Sequence, residues 1–337
     1  MSSQSATPAS PSALRLSSAH HSFADRLGDP ALRALAWLAS GVAIVILGAL
    51  AYKVFALAGE SFSRYGLGFI TSENWNPSQG TNGYGFGAAD FLFGTAVTSF
   101  FALLIAAPVS IAIALFLTEL APRRIRRPVA TLVELLAAIP SVVLGLWGLI
   151  VLAPMMRGTI EPALQSVFGW LPLFSGTETG LGMITAIVIL TIMTVPIVSA
   201  VTREVFATVP TELKEGALAM GATRWEMVRM VMLPYARSGM VGAVILGLGR
   251  ALGEAIAVTM VIGHTVNGLH PSLFATGDTL ASRIASEYQG AATSLQISSL
   301  AYLAAILLVL ALIANVVARL IVRRTTVRLP VGLGAPN

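Results

Sequence analysis

The feature that most constrains the fold of this chain is a set of six long apolar runs with very few charged residues. Each comes close to or exceeds the roughly 20 residues that an α-helix needs to cross about 30 Å of hydrocarbon. Only 11% of the residues are charged, too few to cover the surface of a soluble domain. We therefore predict an all-α polytopic membrane protein with six transmembrane helices. The runs are Ala34–Tyr52, Phe91–Thr118, Pro128–Pro154, Gly180–Thr202, Ser238–Gly263 and Ser298–Ala318.

Basic residues are distributed unevenly between the loops. Sixteen of the 21 Lys and Arg residues lie at the two ends of the chain and in the loops after the second and fourth runs. The positive-inside rule places both termini and these two loops in the cytoplasm. The net charge of +5 is therefore attributed to contact with membrane lipid, and we expect no nucleic-acid partner.

The longest cytoplasmic loop, residues 203–237, contains the signals for a first short helix. Pro210-Thr211 can begin this helix, and Gly221 can end it, because the position after a helix end favours a residue with positive φ. A helix this short is not stable alone in water, so it needs a partner surface. Local physics leaves open whether that surface is a protein or the lipid.

A second helix start follows directly in the same loop. Thr223 and Glu226 match the capping box, in which a hydroxyl is followed three residues later by a carboxylate. Leu233-Pro234 is predicted to end or kink this second helix before the fifth apolar run. The loop is thus expected to form a compact helix–turn–helix at the membrane surface.

The same loop resembles the signature loop of the permease subunits of ATP-binding-cassette importers. The pattern is Glu-x-Ala-x-x-x-Gly, nine residues, an aliphatic residue, one residue and then Leu-Pro. In that family the loop is the coupling helix, which docks in a groove of the ATPase subunit, and the resemblance implies this role here. The matching positions are Glu215, Gly216 (where alanine is commoner), Ala217, Gly221, Val231, Leu233 and Pro234.

Three further segments resemble the PstC-type permease of bacterial phosphate importers. They are Glu134–Gly148, Gly247–Gly263 and Gly277–Tyr288, and the resemblance covers roughly residues 86–324. It implies the type I ABC importer permease fold, which is MetI-like. The implied partners are a second permease subunit (PstA type), an ATPase dimer (PstB type), an extracytoplasmic phosphate-binding protein (PstS type) and phosphate.

The chain itself is expected to be non-catalytic and to hold no cofactor or metal. It contains no G-x-x-x-x-G-K phosphate loop, so ATP and magnesium would be bound by the partner ATPase. We predict a disordered cytoplasmic tail over residues 1–32, a transmembrane domain over 33–322 with its permease core over 91–322, and a cytoplasmic tail over 323–337.

The fifth run contains two ionisable residues, Arg250 near its middle and Glu254 four residues later on the same helical face. A charge at mid-bilayer costs at least ~3 kcal/mol, so it should face the bundle interior or a wet cavity. Gly247, Gly249 and Gly253 would let a helix or a solute come close. The functional hypothesis is that Arg250 meets phosphate in the substrate pathway, partly neutralised by Glu254. The alternative is a buried ion pair that only ties helices together.

Two other polar residues are interpreted as structural. Glu134 is expected to pair with Arg203, and His264 is expected to be an interface residue at the outer end of the fifth run. The resulting prediction is a phosphate importer permease. Alternatives are a permease for another oxyanion such as molybdate or sulfate, an ion-coupled secondary transporter or channel, which would not need the coupling loop, and a membrane scaffold, which would not need Arg250.

The predicted orientation can be tested with single cysteines, because the chain contains none. In intact cells, a membrane-impermeant thiol reagent should label a cysteine at Ser78 and should not label one at Ser17 or Thr223, since the basic loops are retained in the cytoplasm. The opposite labelling pattern would overturn this orientation.

Overall fold

A computed structural model describes residues 23–77, 85–264, 268 and 270–325, and the chain divides between Lys53 and Val54 into two compact units. Residues 1–22 and 326–337, where most of the two predicted tails fall, lie outside the described residues. The first helix already begins at Phe23, inside the segment predicted as a tail. From this residue onward the sequence is rich in Ala and Leu, which favour a helix.

The described residues form a series of helices, of which α1, α4, α6, α7, α9 and α12 are long and apolar enough to cross a membrane. The prediction of six spans is therefore confirmed. Helices α4, α6 and α9 contain π-helical turns. In chain order the helices are α1 (Phe23–Leu57), α2 (Gly59–Tyr65), α3 (Gly68–Thr71), α4 (Ala89–Leu120), α5 (Arg123–Ala138), α6 (Ser141–Phe168), α7 (Met183–Ala207), α8 (Thr211–Ala219), α9 (Arg224–Gly253), α10 (Ile256–Val261), α11 (Leu280–Glu287) and α12 (Ser294–Thr325).

The third predicted run, Pro128–Pro154, is not one helix. Helix α5 ends at Ala138, Ile139 is extended, and α6 begins at Ser141. A proline disfavours the helical conformation in the residue before it, so Pro140 separates the two helices. The third span is therefore α6, which begins later in the chain than the apolar run.

Leu233-Pro234 was predicted to end or kink the second helix of the loop, and the structure contradicts the end, because α9 continues through it. A π-helical turn, Val228–Met232, precedes the proline, and the N–H of Leu233 donates to the carbonyl of Val228. The α-helical pattern then resumes at Leu233, with Pro234 in its first turn. Proline is tolerated in a first turn, where its missing N–H leaves no hydrogen bond unmade.

The fifth predicted run, Ser238–Gly263, is also not continuous. Helix α9 ends at Gly253, Glu254 is extended with a ψ of 115°, and α10 begins at Ile256. Arg250 therefore lies in the last turn of a helix and not in the middle of one. A cation at this position interacts favourably with the negative end of the helix dipole.

Close packing against α7 sets the position of this last turn. A Cβ atom added at Gly247 would lie 2.5 Å from a methyl carbon of Val198, so the glycine allows α9 to approach α7 closely. Helix α7 is the most buried of the six spans. The orientation of α9, and with it that of Arg250, thus depends on contact with a buried neighbour.

Buried apolar side chains form clusters at both ends and in the middle of α4. One cluster contains Trp75 and Phe91, and a central one contains Ile189 and Val261. The third lies where the loop between α7 and α9 meets the C-terminal end of α4, and we call it the loop-side cluster. It consists of Ala114, Phe206, Val209, Met227, Val228, Met232 and Ala236.

Candidate functional site

The segment between α7 and α9 is a short helix followed by a tight turn. Helix α8 begins at Thr211 directly after Pro210 and ends at Ala219. Gly221 has a φ of +89°, and its N–H donates to the carbonyl of Leu218 at 3.0 Å. The positive φ predicted for this glycine is confirmed, and any residue with a Cβ would be strained there.

Thr223 and Glu226 form the predicted capping box at the start of α9. The N–H of Glu226 donates to Oγ1 of Thr223 at 3.3 Å, and the N–H of Thr223 donates to Oε2 of Glu226 at 2.8 Å. These bonds satisfy N–H groups that a helix start otherwise leaves unpaired. Helix α9 therefore begins at a defined residue directly after the turn.

The signature residues of this loop divide into an exposed set and a half-buried set. Two of the half-buried side chains, Ala217 and Leu233, pack against the loop-side cluster. The exposed residues are Glu215, Gly216, Gly221 and Pro234, and the half-buried ones are Ala217, Val231 and Leu233. One part of the signature thus anchors the loop, and the other part remains available to a partner.

Large apolar side chains surround the exposed part of the signature. Met220 is 89% exposed and Trp225 is 63% exposed, and Leu213 and Leu218 are also exposed. Apolar groups that are exposed together on a short helix are typical of a docking surface. The exposed residues surround α8 on all sides except its inner face, a shape that suits a groove in a partner protein.

The second candidate site lies at the break between α9 and α10. Nη2 of Arg250 and Oε2 of Glu254 are 3.5 Å apart, so the predicted ion pair is present, although it is long for a charge-assisted hydrogen bond. The Arg250 side chain is 39% exposed and that of Glu254 is 8% exposed. Oε1 of Glu254 accepts a 3.4 Å hydrogen bond from the N–H of Ala257 in α10. The break therefore combines a buried carboxylate with an accessible guanidinium.

Open space lies beside the turn that carries Arg250. Cβ atoms added at Gly249 and Gly253 would meet no atom within 4 Å. Among the described residues, Glu254 is the only acidic partner of the Arg250 guanidinium. A guanidinium has five N–H donors in a planar fork that matches the oxygens of an oxyanion. The site can therefore bind an anion while α9 holds the cation in place.

A third set of polar residues was missed by the sequence analysis. Asp278 is buried, and its Oδ2 lies 2.9 Å from Nδ1 of His264 and 3.0 Å from Nε of Arg283. Its Oδ1 accepts hydrogen bonds from the N–H of Thr279 and the hydroxyl of Ser282. These partners offset the desolvation of the carboxylate. His264, which is expected to be an interface residue, is itself exposed and forms the outer member of a charge network centred on the buried Asp278.

Arg283 extends this network to two other segments. Its Nη1 lies 2.6 Å from Oε1 of Glu287, whose Oε2 accepts a 2.9 Å hydrogen bond from the indole N–H of Trp75. The guanidinium also lies over the Phe91 ring, 4.8 Å from its centroid. The network therefore ties α11 to α4 and to the segment after α3. The spacing of Arg283 and Glu287 on one helix could have indicated their pair from the sequence.

The predicted pair of Glu134 and Arg203 is also confirmed, with Oε1 and Nη2 2.5 Å apart. It joins α5 to the end of α7 and has a structural role. In the part of the chain that the structure describes, no three His, Asp or Glu side chains are grouped so that they could hold a metal ion.

Comparison with known proteins gives consistent matches. A family model described as "Binding-protein-dependent transport system inner membrane component" matches residues 108–327. Three similar relatives are each named "Phosphate transport system permease protein PstC". The protein of Mesorhizobium japonicum is 44% identical, covering 90% of this chain and 92% of the relative. That of Pasteurella multocida is 46% identical, covering 79% and 82%, and that of Haemophilus influenzae is 42% identical, covering 83% and 88%.

Solved structures share the fold at low sequence identity. One is a chain in the crystal structure of a bacterial alginate ABC transporter in complex with a periplasmic protein that binds an alginate pentasaccharide. It has a TM-score of 0.57 and 20% identity, covering 89% of this chain and 98% of that chain. A chain in a second crystal structure, of a bacterial ABC transporter involved in the import of the acidic polysaccharide alginate, has a TM-score of 0.50 and 21% identity, covering 70% of this chain and 78% of that chain. These likenesses confirm the predicted fold of an ABC importer permease.

The contact between His264 and Asp278 predicts a pH-dependent stability. The hydrogen bond to Asp278 raises the pKa of His264 above its usual value, although partial burial opposes this. Because the pKa of His264 is higher in the folded than in the unfolded protein, its protonated form stabilises the fold. This stabilisation is complete at a pH below the pKa of the unfolded state and is lost as the pH rises through the pKa of the folded state. As the pH rises through these two pKa values, the melting temperature of the wild type should fall more than that of the variant His264→Asn. Asparagine is chosen because it tolerates the φ of +39° at this position. The same pH dependence in both proteins would contradict the prediction.

Proposed function

The chain belongs to the family of binding-protein-dependent transport system inner membrane components, and we propose that it is the transmembrane permease subunit of an ATP-driven importer of inorganic phosphate. Support comes from relatives that are 42–46% identical over most of the chain and are named phosphate transport permeases. As a member of this family, the chain is a non-catalytic, multi-pass membrane subunit of a transporter.

The observation that carries the phosphate assignment is the accessible guanidinium of Arg250 at a helix break. Non-helical backbone at membrane depth is tolerated where it is buried in protein or lines a water-filled cavity. The guanidinium of Arg250 presents planar donors that match phosphate oxygens. Glu254 is held at the start of α10, and its Oε2 lies 3.5 Å from Nη2 of Arg250, so it can partly balance the cation. Together these residues would offset the desolvation of an anion that crosses the membrane.

Energy for transport would come from partner subunits. The exposed surface of α8 would dock in a groove of an ATPase dimer (PstB type), which would bind ATP and magnesium. A second permease subunit (PstA type) and an extracytoplasmic phosphate-binding protein (PstS type) would complete the importer. The distribution of basic residues supports a cytoplasmic location for α8 and both termini, on the same side as ATP.

Helix α9 would carry the movement of the loop to the substrate pathway. It begins at the capping box beside the docking surface and continues for 30 residues, about 45 Å at 1.5 Å per residue, to the turn that holds Arg250. Closure of the ATPase dimer on ATP would open the pathway outward, and hydrolysis would reset it inward.

Replacement of Arg250 tests its role in the pathway. Arg250→Gln removes the cation but keeps a polar side chain, so uptake of radiolabelled phosphate should fall at least about tenfold, since a hydrogen bond to a charged group is worth about 1.5–3 kcal/mol. The complex should remain assembled. Glu254→Gln should change uptake less, because its amide oxygen can still accept from the N–H of Ala257. Membrane abundance and ATPase co-purification are measured beside uptake.

A purely structural ion pair predicts a different result. Removing one partner of a buried pair costs about 3–5 kcal/mol, so either single change would impair assembly. Changing both Arg250 and Glu254 to glutamine would then restore assembly together with transport. Recovery of uptake in this double variant would rule out an anion-binding role for Arg250. Uptake of radiolabelled molybdate or sulfate by the wild type in place of phosphate would identify a different oxyanion as the substrate.

The docking role of α8 is tested at Gly221. Gly221→Val forces a β-branched residue into a backbone with φ of +89°, a strain of order 1–3 kcal/mol, so the variant should insert in the membrane but show weaker ATPase association and lower uptake. Gly216→Ala is a matched control, because its Cβ meets no atom within 4 Å and the α-helix gains about 1 kcal/mol. Normal uptake and ATPase binding in both Gly221→Val and Glu215→Lys would disprove coupling through α8.

A further inference from the structure

Two side chains of helix α8 are turned away from solvent. Within α8, Lys214 and Ala217 are the residues that are not exposed. Ala217 packs against the loop-side cluster. Nζ of Lys214 lies 2.6 Å from Oε1 of Glu119 at the C-terminal end of α4, and the two side chains are 17% and 19% exposed. The contacts of the inner face of α8 therefore include a small apolar contact at Ala217 and a partly buried ion pair at Lys214.

Glu119 lies in an unusual piece of backbone that is itself anchored. It belongs to the π-helical turn Phe116–Leu120, in which the N–H of Ala121 donates to the carbonyl of Phe116 at 2.7 Å. Such turns occur frequently at functional sites. Leu117 of the same turn is buried, so the backbone that presents Glu119 to α8 is packed into the rest of the helices.

Helix α4 connects this ion pair to the helices around Arg250. The hydroxyl of Ser110 donates to the carbonyl of Val195 on α7 at 3.2 Å. Further along α4, a methyl carbon of Leu103 lies 3.6 Å from the Cβ position of Gly247 on α9. Packed interiors resist compression, so a displacement of the C-terminal end of α4 is passed to α7 and α9.

We propose that the Lys214–Glu119 ion pair is the link by which α8 moves α4, and that it stays intact throughout the transport cycle. The inference rests on the proposed function, because it specifies where force from an ATPase enters the membrane helices. Lys214 and Glu119 are positioning residues, since they act on the pathway through α4. A partly buried pair resists separation because each charge would lose its partner before it is fully hydrated. Without the pair, α8 keeps only its small apolar contact with the cluster at the end of α4, so its movement is passed to α4 less effectively.

The first experiment compares phosphate transported per ATP hydrolysed in the complete transporter, reconstituted with its ATPase and binding protein. Glu119→Gln removes the charge and keeps the size, so the ratio should fall at least about fivefold, within the usual range of coupling between sites. The ATPase should still co-purify and hydrolyse ATP. Glu134→Gln is the matched control: it makes the same change in the Glu134–Arg203 pair, which does not involve α8, and should leave the ratio unchanged.

Exchanging the two charges tests whether the ion pair links α8 to α4 or only stabilises the fold. Glu119→Lys combined with Lys214→Glu keeps an ion pair at the same place, so it should restore the ratio. If the pair only stabilises the fold, Glu119→Gln would lower the melting temperature while the ratio stays as in the wild type, and the proposal would be overturned. A wild-type complex that takes up no phosphate would refute the proposed function instead.

A reversible bridge tests whether the contact persists during transport. The chain has no cysteine, so Glu119→Cys and Lys214→Cys can be combined and joined by a cleavable bifunctional thiol reagent that spans two extended side chains. The unbridged protein should show the low ratio, bridging should restore it, and cleavage should lower it again. Arrest of uptake by the bridge, with no effect of the reagent on either single-cysteine variant, would show that the contact must open and would overturn the proposal.

Discussion

Every backbone N–H and C=O group in the hydrocarbon region needs a partner within the protein, and the arrangement of this chain depends on that requirement. Helices satisfy it internally, which is why six apolar runs predict six spans. Between Gly253 and Ile256 the helix is interrupted, and no proline explains the break. Glu254 accepts a hydrogen bond from the start of α10 there. The carboxylate is thus engaged at the break, and Arg250 remains as the accessible charge.

Helix α9 connects the two candidate sites, because it begins beside the exposed surface of α8 and ends at the turn that carries Arg250. A continuous helix connects the capping box beside the exposed surface of α8 to the last turn with Arg250, so a movement at one end can reach the other. The Lys214–Glu119 pair adds a second connection through α4. Helix α8 is therefore joined to the membrane helices covalently at its ends and by an ion pair at its inner face.

Features that depend on neighbours in the sequence were predicted correctly. The capping box at Thr223 and the positive φ of Gly221 follow from local hydrogen bonding and local sterics. The Glu134–Arg203 pair was also found, because opposite charges at the ends of two apolar runs have few other partners. Of the two outcomes predicted at Leu233-Pro234, an end or a kink, the end does not occur, since a π-helical turn directly before Leu233 changes the hydrogen-bond register and lets the helix continue.

The sequence by itself determined the number of spans, the signature loop and the presence of a charged pair in the fifth run, because these depend on hydrophobicity, local capping and residue identity. Only the tertiary structure decided that Arg250 is accessible and Glu254 buried, that Lys214 meets Glu119, and that Asp278 binds both His264 and Arg283. These contacts join residues whose positions depend on how whole helices pack. The hydrophobic pattern of a helix does not fix how far the helix is rotated about its axis. Contacts with neighbouring helices, such as Val198 against Gly247, decide which way each charged side chain faces.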